Sequence, residues 1–230
     1  MNYLRLDSND LTVMPDLSLV KNKLSTFHIA NNDITSVSWN FPADVPALRS
    51  LYLHGNKITT WPDFSSAKDL KYLTISFDYF STYPTTIGYP SNNNLQKIYF
   101  LRIYDTLADS FFQGLTKLYE FRLRHYKPST LPNFDNQINL IKNMYIEKWI
   151  NIDLQTIKQF ISKFEKLEIV RLGEQGYTNF PFTCSDLNQW QKLKTLDIQK
   201  NPITFLPNLK TLLTVNKDNK IKVDISDTPV

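Results

Sequence analysis

Hydrophobic residues recur along the chain with a spacing that is neither helical nor strictly alternating. In residues 48–62, LRSLYLHGNKITTWP, the apolar positions are Leu48, Leu51, Leu53 and Ile58. The central x-L-x-L-x segment has the two-residue period of a short β-strand, so Leu51 and Leu53 should face one side and Tyr52 the other. A single strand of this length has nothing to bury its apolar side against, so neighbouring copies are required.

The same pattern recurs throughout the chain at steps of 22 to 27 residues. Copies begin near residues 1, 24, 48, 70, 95, 118, 141, 167, 193 and 220. The tail VDISDTPV matches LDIQKNPI at 196–203 residue for residue in type, so the last copy is counted as an incomplete tenth unit. A fixed period of this length is typical of a solenoid, in which each unit buries its apolar side against its neighbours.

The unit resembles the leucine-rich repeat, whose pattern is L-x-x-L-x-L-x-x-N-x-L, and the resemblance covers essentially the whole chain. It implies an α/β horseshoe with a parallel concave sheet of about ten short strands. It also implies a convex side of short helices, 3-10 turns and extended segments. We treat residues 1–230 as a single domain of this kind. Because neither end carries a capping helix or a cysteine-rich flank, we expect a piece of a longer protein.

In the leucine-rich repeat family the asparagine of the unit bonds backbone groups of adjacent turns. The residues that match this position are Asn9, Asn32, Asn56 and Asn201. The middle units carry other residues there, namely Asp78, Ile103, Tyr126, Trp149 and Gln175. The resemblance therefore predicts an interrupted asparagine ladder and irregular turns between residues 78 and 175.

Two stretches of the outer side are predicted to be helical. In NIDLQTIKQFISKFEKLE, Asp153 is a suitable N-cap, and the apolar residues fall at helical spacing at Leu154, Ile157, Ile161 and Phe164. This helix should cover the core on the convex face. SDLNQWQKL, residues 185–193, predicts a second short helix with Trp190 directed inward.

Composition narrows the range of functions. A net charge of +4 and a pI near 8.9, without a long Lys/Arg block, fall short of a nucleic-acid footprint. The single cysteine excludes an internal disulfide, and no apolar run is long enough to span a membrane. The absence of cysteine-rich caps favours a cytoplasmic, bacterial cell-surface or secreted location over an animal extracellular one.

Catalytic and metal-binding motifs are not found in the sequence. Five glycines leave no room for a phosphate-binding loop, and one cysteine cannot supply a zinc site. Cys184 is expected on the convex side and the histidines on the concave side, so a nucleophile–base pair is not expected. We predict that this chain is not an enzyme and has no catalytic residue, metal or cofactor.

The residues between the strand leucines should point out of the concave sheet, where function is expected. The central outward positions are Arg5, His28, Tyr52, Thr74, Tyr99, Arg122, Tyr145, Arg171, Asp197 and Asp224. Tyr and Arg dominate binding hot spots, and strands about 4.8 Å apart should stack Tyr99, Arg122 and Tyr145 as a ladder. The predicted ligand-binding residues are His28, Tyr52, His54, Tyr72, Tyr99, Arg122, Arg124, Tyr145 and Arg171.

The expected partner is a protein or peptide that carries an acidic patch, because the face is basic near units five to eight. A nucleic-acid or glycan ligand is less favoured.

Several alternative functions stay open from sequence alone. The ladder would equally serve to stabilise neighbouring strands. The chain would also suit a structural subunit that self-associates through open ends, or the recognition arm of a larger effector or receptor.

Overall fold

The computed structural model describes residues 2–38, 44–88, 94–207 and 221–227. In these ranges ten parallel strands form one sheet, and their order in the sheet is their order in the sequence. The strands are β1 (Tyr3–Arg5), β2 (Thr26–His28), β3 (Ser50–Tyr52), β4 (Tyr72–Ser76), β5 (Lys97–Ile103), β6 (Glu120–Tyr126), β7 (Asn143–Trp149), β8 (Ile169–Arg171), β9 (Thr195–Asp197) and β10 (Lys222–Asp224). The predicted solenoid with a ten-stranded parallel sheet is confirmed. The unit starts at 1 and 220 and the tail residues 228–230 lie outside the described residues.

The sheet is in register from coil to coil, so equivalent repeat positions form straight rows across the strands. Leu51 pairs with Phe27 on one side and with Leu73 on the other, and all three side chains are fully buried. Each buried aliphatic side chain of this kind contributes roughly 1.5–3 kcal/mol. The core is therefore a continuous apolar column between the sheet and the returning segments. We call the opposite side of the sheet, which points away from this core, the concave face.

The convex side carries the two predicted helices. Helix α1 spans Leu154–Ser162. Asp153 is its N-cap, and the Asp153 carboxylate accepts a hydrogen bond from the Thr156 amide at 2.9 Å. Helix α2 spans Cys184–Gln189, which is shorter than the 185–193 segment predicted, and Trp190 beyond it is buried as expected. A 3-10 turn at Asp135–Gln137 covers an earlier coil. Within the described ranges, none of the helices is long and apolar enough to cross a membrane.

The asparagine position links adjacent coils as the resemblance implies. Asn32 donates from Nδ2 to the Leu6 carbonyl of the preceding coil at 2.9 Å, and its Oδ1 accepts from the Leu11 amide at 3.0 Å. Asn56 and Asn201 make equivalent bonds, whereas the Asn9 side chain donates to Leu6 and Asp7 within its own coil. The predicted interruption is wrong at Gln175. Its Nε2 donates to the Ile146 carbonyl at 2.8 Å and its Oε1 accepts from the Trp149 amide at 3.2 Å.

The middle coils differ from the predicted irregular turns, because their strands are the longest in the sheet. β5, β6 and β7 each have 7 residues, whereas β1 to β3 have 3. Ile103, Tyr126 and Trp149 occupy the asparagine position there and are buried in the core. The Trp149 indole Nε1 donates to the Leu123 carbonyl at 3.2 Å, which is equivalent to the bond from Gln175 to Ile146. The longer strands add ladder bonds, such as that from the Lys127 amide to the Ile103 carbonyl at 2.9 Å. Large buried side chains and longer strand pairing thus replace the asparagine in these coils, and Trp149 keeps one hydrogen bond to the preceding coil.

A left-handed residue closes the C-terminal end of most strands. The residues that share this conformation are Ser8, Asn31, Gly55, Arg102, His125, Lys148, Glu174, Lys200 and Asp227, with φ between +52° and +72°. Only one of them is a glycine. At Gly55 a Cβ atom would come within 2.2 Å of Asn31 Oδ1, so this coil also lacks room for a side chain. The repeated corner turns each coil away from the sheet and defines one edge of the concave face.

Candidate ligand-binding face

The register of the strands confirms the predicted central row on the concave face. Tyr99 pairs with Arg122, Arg122 with Tyr145 and Tyr145 with Arg171. Thr74 is an exception to the expected exposure, because it is fully buried. The His54 ring covers it, with Nδ1 at 2.7 Å from Thr74 Oγ1. The row is therefore continuous in register but recessed at Thr74 on β4 and at Asp197 on β9, which is 3% exposed.

The predicted ladder of rings and guanidinium groups is present. The Arg122 guanidinium carbon lies 4.5 Å from the centre of the Tyr99 ring and 5.9 Å from that of Tyr145. Arg171 extends the stack, since its guanidinium carbon lies 5.4 Å from the centre of the Tyr145 ring. These distances fall within the range of cation–π attraction. The central row is thus an alternating sequence of aromatic and cationic side chains from Tyr99 to Arg171.

Carboxylates that the sequence interpretation did not pair with the arginines lie between them. Arg122 Nη2 donates to both oxygens of Glu147, at 2.7 and 3.0 Å. Arg171 Nε donates to Asp197 Oδ2 at 2.6 Å. Both acidic residues are almost fully buried, with exposures of 5% for Glu147 and 3% for Asp197. The expectation of a basic face across units five to eight is corrected, because these cations are paired with carboxylates of neighbouring strands.

A second ion-pair network runs beside the ladder. Arg124 Nη2 donates to Glu174 at 2.8 Å, and Lys148 lies 3.0 Å from the other oxygen of Glu174. Burial by itself would raise the pKa of Glu174, but the bond from Lys148 and the charge of Arg124 outweigh it and hold that pKa below its usual value. Glu174 is therefore ionised at neutral pH. We call the residues Tyr99, Arg122, Arg124, Tyr145 and Arg171, with Glu147, Glu174 and Asp197, the aromatic–arginine cluster.

The N-terminal half of the face carries a separate group of rings. His28 stacks on Tyr52 with ring centres 3.7 Å apart and planes 12° apart, and Tyr52 contacts Tyr72 at 4.8 Å. Burial lowers the pKa of His28, and the nearby Asp7 only partly opposes this effect. Burial likewise lowers the pKa of His54. Both histidines therefore act as neutral rings at pH 7 rather than as cations.

A depression of about 460 Å³ opens beside these rings, on the side of the face where the strands begin. Tyr52 and Tyr72 form part of its wall, and Lys97 and Glu120 form another part. Lys97 Nζ lies 3.1 Å from Glu120, which also accepts a hydrogen bond from Asn143 at 2.8 Å. The sequence interpretation assigned the two tyrosines to the ligand-binding set but gave no indication of the depression.

The structure places all nine predicted ligand-binding residues on the concave face, in two groups. Tyr99, Arg122, Arg124, Tyr145 and Arg171 belong to the aromatic–arginine cluster. His28, Tyr52 and Tyr72 form the N-terminal group, and His54 lies between the groups with its ring centre 6.1 Å from that of Tyr99. Glu147 was missed as a partner, although the repeat phase already places it beside Arg124 on the next strand.

Other candidate chemistry is limited. Among the described residues, no group of three or more His, Cys, Asp and Glu side chains is arranged to hold a metal ion. The side chain of Cys184 lies outside what the structure describes, so its expected separation from the histidines remains a prediction.

Comparison with known proteins agrees with the fold. The sequence model of the family described as "Leucine rich repeat" matches residues 1–58 and 22–80. A Dictyostelium discoideum protein named MAP kinase phosphatase with leucine-rich repeats protein 3 is 37% identical over 73 residues, which cover 31% of this chain and 8% of that protein.

Two solved structures are similar over nearly the whole chain. A leucine-rich-repeat protein of Leptospira interrogans gives a TM-score of 0.62 at 19% identity, covering 98% of this chain and 55% of that one. Toll, in the Drosophila Toll–Spatzle complex structure, gives a TM-score of 0.66 at 17% identity and covers 95% of this chain and 29% of that one. This chain therefore spans about half of the first structure and less of the other two proteins.

Proposed function

We propose that this chain binds a protein or peptide ligand on its concave face through the aromatic–arginine cluster. Its residues 1–80 match the leucine-rich repeat family, and its fold is that of a leucine-rich-repeat solenoid. The function is recognition, and the cluster supplies the central contacts. Tyr and Arg side chains suit this role because they offer large contact areas with directional donors.

The observation that carries the proposal is that carboxylates on neighbouring strands hold the arginines of the cluster in place. Glu147 fixes Arg122 through two hydrogen bonds, and Asp197 fixes Arg171 through one. The arginine side chains nevertheless remain about a third exposed, at 33% and 31%. A surface whose side chains are already ordered loses less conformational entropy when a ligand binds.

Because the arginines of the cluster are ion-paired, the contacts that it can make with a ligand are not mainly electrostatic. Three arginines of the cluster face three carboxylates, so its outer surface offers ring faces and guanidinium edges rather than excess positive charge. Affinity at the cluster should accordingly arise from stacking and hydrogen bonding and depend weakly on salt. An acidic patch on the partner would gain more at the edge of the face than at its centre.

A protein ligand is also consistent with the similar structures. The solved Toll structure is a complex with Spatzle, so a protein of this fold is found with a protein partner. At 17% identity this likeness concerns the fold, and the proposal for this chain depends on its own concave side chains.

A second candidate function is that of a recognition arm within a longer protein. It is favoured by the lengths of the relatives, since the matched segment is 8% of the Dictyostelium phosphatase-named protein. In that case the concave face would direct the rest of the protein to its partner. The binding surface would be the same.

The proposal is tested by selecting peptides from a displayed random library on the wild-type protein. The selected peptides are then titrated against the variant Tyr99→Ser/Tyr145→Ser and against a matched control, Tyr79→Ser/Tyr104→Ser. The control removes two exposed tyrosines that lie beyond the strand ends, outside the concave rows. We expect the concave variant to lose about tenfold or more in affinity and the control to stay within about twofold.

Two results would contradict the proposal. The first is equal affinity of the selected peptides for both variants and the wild type. The second is a library that yields no binder at all. If the ladder only stabilises the strands, the concave variant melts earlier while its affinity is unchanged.

A further inference from the structure

The depression on the strand-start side of the concave face has the size of a ligand site. Its volume of about 460 Å³ falls within the range of typical binding pockets. It extends from Ser50 on β3 to Glu120 on β6, which is three inter-strand spacings or about 14 Å. An extended peptide rises about 3.3 Å per residue, so roughly four residues would cross it.

Aromatic side chains form one wall of the depression. The rings of Tyr52 and Tyr72 are 4.8 Å apart and inclined at 50°, so together they present two ring surfaces at an angle. Tyr52 is fixed from behind by its stack on His28. Both tyrosines line the depression directly, so their rings border its open space. This wall suits a planar side chain that packs against both tyrosines.

Two basic residues lie at or next to the edge of the depression, namely Lys71 in its lining and Arg49 directly before the lining residue Ser50. Arg49 and Lys71 occupy the same repeat position on adjacent coils, and the Lys71 amide donates to the Arg49 carbonyl at 2.7 Å. Lys71 lines the depression. The Arg49 side chain donates to the Leu48 carbonyl at 3.3 Å. Neither side chain forms an ion pair with a carboxylate in the described part of the chain, in contrast to Lys97, which is paired with Glu120.

The free positive charge of the concave face is thus displaced from its centre to this edge. In the aromatic–arginine cluster the arginines are neutralised by buried carboxylates, whereas Arg49 and Lys71 have no such partners among the described residues. Glu120 on the opposite wall places a negative charge across from them. A polyanion that filled the whole depression would meet Glu120, while a segment with its carboxylates on one side would not.

We propose that this depression binds an extended acidic protein segment, with an aromatic side chain against Tyr52 and Tyr72 and its carboxylates along Arg49 and Lys71. The inference rests on the proposed function, because it assigns a partner chemistry to the same concave face. It also locates the acidic contact at the start of β3 and β4, away from the arginines of the central row.

The experiment uses a short, acetylated, fluorescein-labelled peptide of alternating Glu and Tyr, with binding to the full chain followed by fluorescence anisotropy. We expect the Glu–Tyr peptide to bind, and a Glu–Ala peptide of equal length to bind about tenfold more weakly. Neutralising the edge in Arg49→Gln/Lys71→Gln should weaken the Glu–Tyr peptide by about fivefold or more.

A matched control is Lys142→Gln/Lys194→Gln. These two lysines occupy the same repeat position on later coils but share the carboxylate of Glu168, at 3.5 and 2.6 Å. This control removes the same number of charges from the same edge, so it should leave the affinity within about twofold.

Four results would overturn the inference. They are an absence of Glu–Tyr binding, equal affinity in Arg49→Gln/Lys71→Gln, equal binding of a Lys–Tyr peptide, and complete displacement by a single-stranded oligothymidylate. The last would assign the edge to phosphate recognition. Library-selected peptides that depend on Tyr99 and Tyr145 would keep the proposed function intact in each case, so the two failures are distinguishable.

Discussion

At the scale of single residues, Glu147 decides the character of the concave face. It is 5% exposed, lies two positions along β7 from Tyr145 and binds Arg122 through both of its oxygens. Arg124 Nε also approaches it at 3.4 Å. A carboxylate in this position is stable only because two guanidinium groups compensate its lost hydration. It converts a row of exposed cations into an ordered and nearly neutral surface.

Removing one member of the pair should therefore cost more stability than replacing both. In Arg122→Ala the Glu147 carboxylate keeps only its contact with Arg124, and we expect a loss of about 2 kcal/mol in the free energy of unfolding. The double variant Arg122→Leu/Glu147→Leu has no buried charge left without its main partner and should lose less. Urea unfolding of both variants checks this order. A double variant that is less stable than Arg122→Ala would contradict the account.

At the scale of elements, the strand pattern follows from the sequence, whereas the corner pattern does so only in part. The Leu-x-Leu spacing predicts the strands because a two-residue period fixes which side chains face the core. The corner after each strand is closed in one of two ways, and the repeat consensus does not predict which one a given coil uses. It is closed by side-chain amide bonds to the preceding coil at Asn32 and Gln175, and by a large buried side chain with longer strands at Tyr126 and Trp149. The Trp149 indole still donates one hydrogen bond to the preceding coil. The inter-coil bonds of Gln175 were not predicted, because the repeat consensus has asparagine at this position. The longer glutamine side chain can nevertheless make the same bonds.

The contribution of the corner hydrogen bonds to stability can be tested at Gln175. Gln175→Ala would leave the Ile146 carbonyl and the Trp149 amide without their side-chain partner, at a cost of about 2 kcal/mol. Gln155→Ala, a matched change at an exposed position of α1, should stay within about 0.5 kcal/mol of wild type. Denaturant unfolding measures both changes. Equal stability of the two variants would mean that the corner bonds contribute nothing.

At the scale of the whole molecule, the concave face combines an ordered neutral centre with a positively charged edge. The sequence predicts which residues line this face, because the register of a solenoid follows from its period. It does not predict the ion pairs, since these depend on how long side chains bend across neighbouring strands. Arg122 reaches Glu147, which is one strand away and two positions further along. Arg49 and Lys71 are identified as candidate contacts for an acidic ligand only after the cations that form ion pairs are excluded.

Stability should fall as the solution is acidified from neutral pH. Burial lowers the pKa values of His28, His54 and His125 below the ordinary 6.5, so the unfolded chain binds protons before the folded one does. The stabilisation these neutral rings contribute is present above pH 6.5 and is lost progressively as the pH falls below that value. Glu174 acts in the same direction at lower pH. Its depressed pKa contributes stability that is present above its ordinary 4.5 and is lost as the pH falls through the depressed value.

Thermal melts across this pH range measure the effect. His54→Gln should show a shallower decline than wild type just below pH 6.5, because one lowered histidine is absent. Melting temperatures that rise on acidification through this window would contradict the assigned direction of the histidine shifts.

The central claim is that a ligand lies on the row of side chains between Tyr52 and Arg171. The most direct measurement is a titration of ¹⁵N-labelled protein with a library-selected peptide, followed by amide chemical shifts. The account predicts that the perturbed amides belong to β3 through β8, with α1 and α2 unaffected. Perturbations concentrated on α1, α2 and the convex returns, with those strands unchanged, would contradict it.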